Sequence, residues 1–187
     1  MLVLRSVLAS KFYIFTVFQS LVSCLVLPRL DYCNAVLASI PLHLVRRLQS
    51  VMNSAARLVF ASSKCDHITP AFIKLHWLPA KQRVLYKQAL MTFNVLRRNN
   101  PSYLRDLLTI HNPSCYLRSS SHHLLSVGYM RTVSSSRCYK HSAATNWNDL
   151  PYDIRDCSSV SVLSVNLKSS FQYCLYCLVT CHPSAYE

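Results

Sequence analysis

The chain of 187 residues carries a single glycine, Gly128, where average usage of about 7% predicts about a dozen. A dinucleotide fingerprint, a Walker loop and a nucleophile elbow all need glycines for close backbone approach or positive φ, so none of them can be built here. Acids are almost as scarce. The only carboxylate side chains are Asp31, Asp66, Asp106, Asp149, Asp153, Asp156 and Glu187. Two-metal phosphoryl transfer and two-carboxylate glycoside hydrolysis both need clustered acids, so a self-contained catalyst is not expected. No nucleophile–base neighbourhood stands out, and no catalytic residue is assigned.

Bases and apolar residues are abundant. Twenty Lys and Arg give a formal charge of +13 and a pI near 9.6, which favours a polyanionic partner over a small-molecule substrate. Apolar residues make up 51% of the chain, enough for a core, so it is not read as disordered. The nine cysteines are odd in number and irregularly spaced, which reads as reduced thiols in an intracellular protein, cytoplasmic or nuclear. Residues 12–27 form an apolar run preceded by Arg5 and Lys11. The run is shorter than the roughly 20 residues a span needs and is read as a buried helix. The alternative is a small, basic, membrane-associated protein anchored by residues 12–27.

Prolines punctuate a mainly α chain. Pro41 opens LHLVRRLQSVMNSAARLVF, whose spacing predicts an apolar face of Leu44, Leu48, Val51, Met52, Ala55, Leu58 and Val59. Arg46, Ser50, Asn53 and Arg57 line the opposite side. Thr69 and Pro70 read as the cap and first residue of a brief helix ending at Leu78-Pro79. Pro79 then opens AKQRVLYKQALMTFNVLRR, with Leu85, Tyr86, Ala89, Phe93 and Leu96 inward and a basic stripe of Arg83, Lys87, Asn94 and Arg98. Residues 109–136 are Ser-rich and read as a loop with at most a small hairpin. Ser136 is the expected cap of a helix carrying Tyr139, Ala143 and Trp147 on one face, and Ser161 the cap of the last helix. Four segments follow: a divergent apolar segment 1–19, a helical region 20–108, a Ser-rich linker 109–136 and a C-terminal helical region 137–187.

Cys174, Cys177, Cys181 and His182 give the one spacing that resembles a metal site. The three thiols fall at helical spacing among apolar residues with no turn between them, so they read as small core residues; no metal or cofactor is expected. Trp77 and Trp147, each close to a Leu-Pro pair, read as core plugs. The basic faces carry more weight. Fourteen of the 20 Lys and Arg precede residue 110, and unpaired arginines on helices suit a phosphate backbone. The candidate nucleic-acid-binding residues are Arg46, Arg47, Arg57, Arg83, Lys87, Arg97 and Arg98.

A series of blocks in order resembles the extreme C-terminal part of LINE-type (non-LTR) retrotransposon reverse transcriptases of the jockey and chicken-repeat kind. They are LVLPRLDYCNAVL, LQSVMNSAARLVF, DHITPAFIKLHWLP, PSYLRDLL, LRSS and WNDLPYDIR, within residues 20–176. Asp-His-Ile-Thr-Pro followed by His-Trp-Leu-Pro is the most specific. The stretch VGYMRTVSSSRCYKHSAATNW departs from the basic, glycine-containing pattern usual there. The resemblance implies a helical thumb-like bundle in the first half. The Asp-Asp polymerase motif that holds the catalytic metals in that family has no counterpart here, so the resemblance carries over no catalytic residue. It implies a non-catalytic fragment of an RNA-directed DNA polymerase, a truncated or decayed element copy that binds RNA or DNA without sequence preference through its basic helix faces.

Overall fold

The computed structural model describes residues 2–32, 38–113 and 124–181, with side chains described for 15–32, 38–113 and 124–172. The protein is mainly α-helical. Its helices are α1 (Leu2–Asp31), α2 (Leu42–Phe60), α3 (Thr69–Leu75), α4 (Ala80–Arg98), α5 (Ser102–Arg105), α6 (Tyr139–Asn148), α7 (Tyr152–Arg155) and α8 (Val160–Cys181), with a 3-10 turn at Ser135–Arg137 before α6. Between α5 and that turn, the described residues form a single antiparallel bridge, Ile110 to Leu125.

Local chemistry explains the ends. Pro41 and Pro79 precede α2 and α4 with φ of −56° each, close to the helical value, as the sequence spacing predicts. Helices α2, α3 and α4 all end on a left-handed residue, Ala61 (φ 49°), His76 (φ 54°) and Asn99 (φ 54°), where glycine is the usual choice. After α2 the Ser62 N–H reaches back to the Arg57 carbonyl at 3.1 Å, and after α3 the Trp77 N–H reaches the Phe72 carbonyl at 3.0 Å. Three expected caps are corrected. The Thr69 side chain makes no cap, because α3 begins after Ile68 with Pro70 already in its first turn. Ser136 lies in the 3-10 turn, its hydroxyl donating to the Val133 carbonyl at 2.7 Å, so α6 starts at Tyr139. At α8 the hydroxyl of Ser159 accepts the Val162 N–H at 3.3 Å, so the cap lies two residues before Ser161, which is already inside the helix.

Two apolar clusters share α4. One joins Val22 of α1, Met52, Ala55, Ala56 and Val59 of α2, Phe72 and Leu75 of α3, Trp77, and Ala80 at the start of α4. Phe72 and Trp77 meet edge to face at 6.1 Å. The other gathers Ala89, Phe93 and Val95 of α4 with Leu108, Leu125, Ala143, Ala144 and Trp147, and with Leu163 and Leu167 of α8. Both tryptophans are core residues, 5% and 3% exposed. The second cluster crosses the boundary expected at 108, and α1 runs unbroken through residue 19.

Helix α4 is therefore enclosed on more than one side, by α2, α6 and α8. Its second buried side is polar. Gln88, fully buried, donates from Nε2 to Ser142 Oγ at 2.8 Å and accepts from Asn146 Nδ2, and the Ser142 hydroxyl passes on to the Cys138 carbonyl at 3.0 Å. Thr92 meets the Tyr139 hydroxyl at 3.3 Å. Asn148 holds both backbone groups of Leu125, at 2.9 and 2.8 Å. Among the described residues no helix is long and apolar enough to cross a membrane.

Candidate nucleic-acid interface

Between Tyr32 and Arg105 the chain has eleven Lys or Arg and one acid, Asp66. Helices α2, α3 and α4 contain no acid at all. The charged side chains that these helices present to solvent are therefore all cationic, and the fold decides which of them remain open.

On α2 the first turns present His43, Arg46, Arg47 and Ser50 to solvent. The Gln49 side chain fixes where this face lies. Its carbonyl accepts the Ala80 backbone N–H at 2.8 Å, bringing the Arg46–Arg47 turn to the start of α4, where Lys81 is exposed. Arg57 differs. It is half-buried, and its Nε is enclosed without a hydrogen-bond partner among the described residues. The core-facing side of α2 is centred on Met52, Ala56 and Val59. Val51 and Leu58, expected inside, flank that centre and are 50% and 61% exposed.

The stripe expected on α4 does not survive as a free surface. Arg83 forms a two-pronged ion pair with Asp31 at the end of α1, Nε to Oδ1 and Nη2 to Oδ2 at 2.8 Å, with the two side chains 17% and 19% exposed. The same carboxylate lies 3.7 Å from Lys87 Nζ. Arg97 lies 3.6 Å from Asp156, which follows α7. These cations were expected to lack acidic partners because their acids lie 52, 56 and 59 residues away in sequence. Asn94 is half-buried, and Arg98 is exposed with no acidic partner among the described residues.

Nor do the seven candidates form one patch. Arg46 and Arg47 sit by the start of α4 and Arg98 at its far end, about 27 Å along the axis at 1.5 Å per residue. Two further lysines lie over aromatic rings, Lys74 over Phe60 at 5.8 Å and Lys168 over Tyr86 at 5.7 Å.

Sequence reasoning missed the buried Arg155. It is 8% exposed, and its Nε donates to the Leu150 carbonyl at 3.0 Å; burial lowers its pKa from the ordinary value, with the neighbouring Tyr152 acting the other way. The LPYDIR segment gives no periodic signal that marks it. Tyr139 has its pKa raised by burial, offset by the Thr92 hydrogen bond and reinforced by Tyr103. Among the described residues no three His, Cys, Asp or Glu side chains converge to hold a metal. The side chains of Cys174, Cys177, Cys181 and His182 lie outside the described residues, while Cys24, Cys65, Cys138 and Cys157 are free thiols. Set against protein-family models, curated proteins and solved structures, the chain matches none.

Proposed function

We propose that this protein is a non-catalytic helical piece of a LINE-type reverse transcriptase that holds RNA or DNA by its phosphate backbone, without reading sequence. The observation that carries the reading is the exposed, acid-free cationic face of α2 at Arg46 and Arg47, extended by Lys81 and, at the far end of α4, by Arg98. Guanidinium groups match phosphate oxygens in geometry, and with no carboxylate on the helix to compete they are available to them. The block resemblance supplies the kind of nucleic acid, since a polymerase thumb grips a template–primer duplex. Arg83, Lys87 and Arg97 stand apart from this role because Asp31 and Asp156 already engage them.

Fluorescence anisotropy with an RNA–DNA hybrid tests the reading. Binding is expected at micromolar affinity or weaker. If three phosphates are neutralised, log K should fall against log salt with a slope of about −3. Arg46→Ala, Arg47→Ala and Arg98→Ala together should abolish most of the binding and flatten the slope. A triple variant that binds as well as the parent would reduce this face to ordinary solvated surface.

A second reading rests on a separate feature. Val17, Leu21 and Leu25, at successive i, i+4 positions of α1, are 48%, 52% and 63% exposed. An apolar strip on a strongly basic protein suits the surface of an anionic bilayer. Flotation with vesicles containing phosphatidylserine decides it: Leu21→Glu should release the protein if α1 lies on lipid and change nothing if it does not.

A further inference from the structure

Three arginines from distant parts of the chain converge on one cavity. Arg97 at the end of α4, Arg105 in α5 and Arg155 in α7 line a space of about 160 Å³ whose remaining wall includes Leu96, Leu125 and Trp147. They are separated in sequence by eight and fifty residues, so no motif announces them. The site is built rather than incidental. Arg155 is more than nine-tenths buried and oriented by the Leu150 carbonyl, while Arg105 is oriented by the Leu108 carbonyl, Nη1 to O at 3.0 Å. Leu125 and Trp147 are each 3% exposed, and Asn148 clamps the backbone of Leu125, so the apolar wall is firm. Asp156 lies 3.6 Å from Arg97.

A cavity lined by three arginines and an apolar wall selects a ligand with two parts. The charged part is an oxyanion, which guanidinium forks bind through paired N–H donors. The apolar part is small, since an engineered cavity of about 150 Å³ holds one benzene ring. We infer that this cavity is a binding site for a small organic oxyanion, a carboxylate or phosphate carried on an apolar body no larger than one aromatic ring. The site is independent of the backbone-binding face, whose principal residues are on α2, and it goes beyond the expectation that the chain takes no small-molecule partner.

Isothermal titration calorimetry of the full chain with benzoate and phenyl phosphate tests the inference, with benzyl alcohol and inorganic phosphate as the ring-only and charge-only probes. One of the two aryl anions should bind saturably and at least about tenfold more tightly than either control; which of them does identifies the headgroup. Arg105→Gln should weaken that binding about tenfold, the loss expected for a hydrogen bond to a charged group. Arg97→Gln, at a half-exposed residue that tolerates replacement, provides the same reading if Arg105→Gln loses its helical circular dichroism. Arg46→Ala with Arg47→Ala should leave the affinity unchanged. Equal binding of benzyl alcohol or of inorganic phosphate, unchanged affinity in the folded arginine variants, or no binding of either aryl anion overturns the site.

Discussion

Arg83 separates cations that hold the fold from cations that could meet phosphate. Replacing it by Met keeps the apolar stem that packs beside Leu48 and Val84 and removes the guanidinium fork around Asp31. Exposed ion pairs contribute about 0–1 kcal/mol, whereas removing one partner of a buried pair costs about 3–5 kcal/mol. With the two side chains 17% and 19% exposed, the pair lies between these limits, and a loss of about 2 kcal/mol is expected for Arg83→Met. Lys87 cannot take over, because its ammonium is half-exposed and already 3.7 Å from the carboxylate. For a chain of this size each kcal/mol shifts the melting temperature by about 2–4 °C, so calorimetry should record a fall of roughly 4–8 °C. Asp31→Asn should give at least as large a loss, because it also removes the Lys87 contact, and the double variant little more than Asp31→Asn alone. Anisotropy measured well below the melting temperature should meanwhile show hybrid binding by Arg83→Met close to the parent level. A stability change under about 0.5 kcal/mol, or a binding loss matching that of the α2 variant, would refute the assignment of Arg83 to structure.

Gln88→Met keeps the volume but removes both side-chain hydrogen bonds to α6, and urea denaturation should show a cost of about 1–3 kcal/mol; adding Ser142→Ala should cost less than in the parent. Stability should fall as pH rises above about 10, because the Tyr139 phenol has its pKa raised in the fold and resists ionising there; its contribution is complete below the unfolded pKa and lost as pH passes the folded one. Tyr139→Phe should flatten that alkaline limb, and an unchanged limb would assign it to other tyrosines. Asn148→Ala should raise amide exchange at Leu125 severalfold while helical circular dichroism is kept, because the neighbouring bridge is bonded through the His111 and Ser126 amides; unchanged exchange would show that Asn148 does not protect this amide.

Helices α2 and α4 were legible in the sequence to their first and last residues, because Pro41, Pro79 and the Asn99-Asn100-Pro101 run act locally on the backbone. The inward face of α6 at Ala143 and Trp147 was legible for the same local reason. What periodicity could not give was the second buried side of α4. Gln88 and Thr92 carry polar side chains that a hydropathy pattern assigns to solvent, and their partners on α6 lie about fifty residues away. The α4 stripe departs from expectation for an equivalent reason. A stripe on a helical wheel shows which cations share a face, but not that Asp31 closes on that face from α1. The arginine cavity was beyond sequence reading altogether, since its three cations come from three helices with no common spacing.

The shortage of glycine reappears at the helix ends. Ala61, His76 and Asn99 hold a left-handed backbone that disfavours side chains with a Cβ, by roughly 1–2 kcal/mol apiece and least for Asn. Domains are typically stable by only about 5–15 kcal/mol, so three such corners are a sizeable standing load. They also make the helix-to-helix corners the places where the folded chain is most readily improved by a single codon change. A lineage under selection for stability would be expected to acquire glycine at these corners; this chain has alanine, histidine and asparagine there and its one glycine elsewhere, at Gly128.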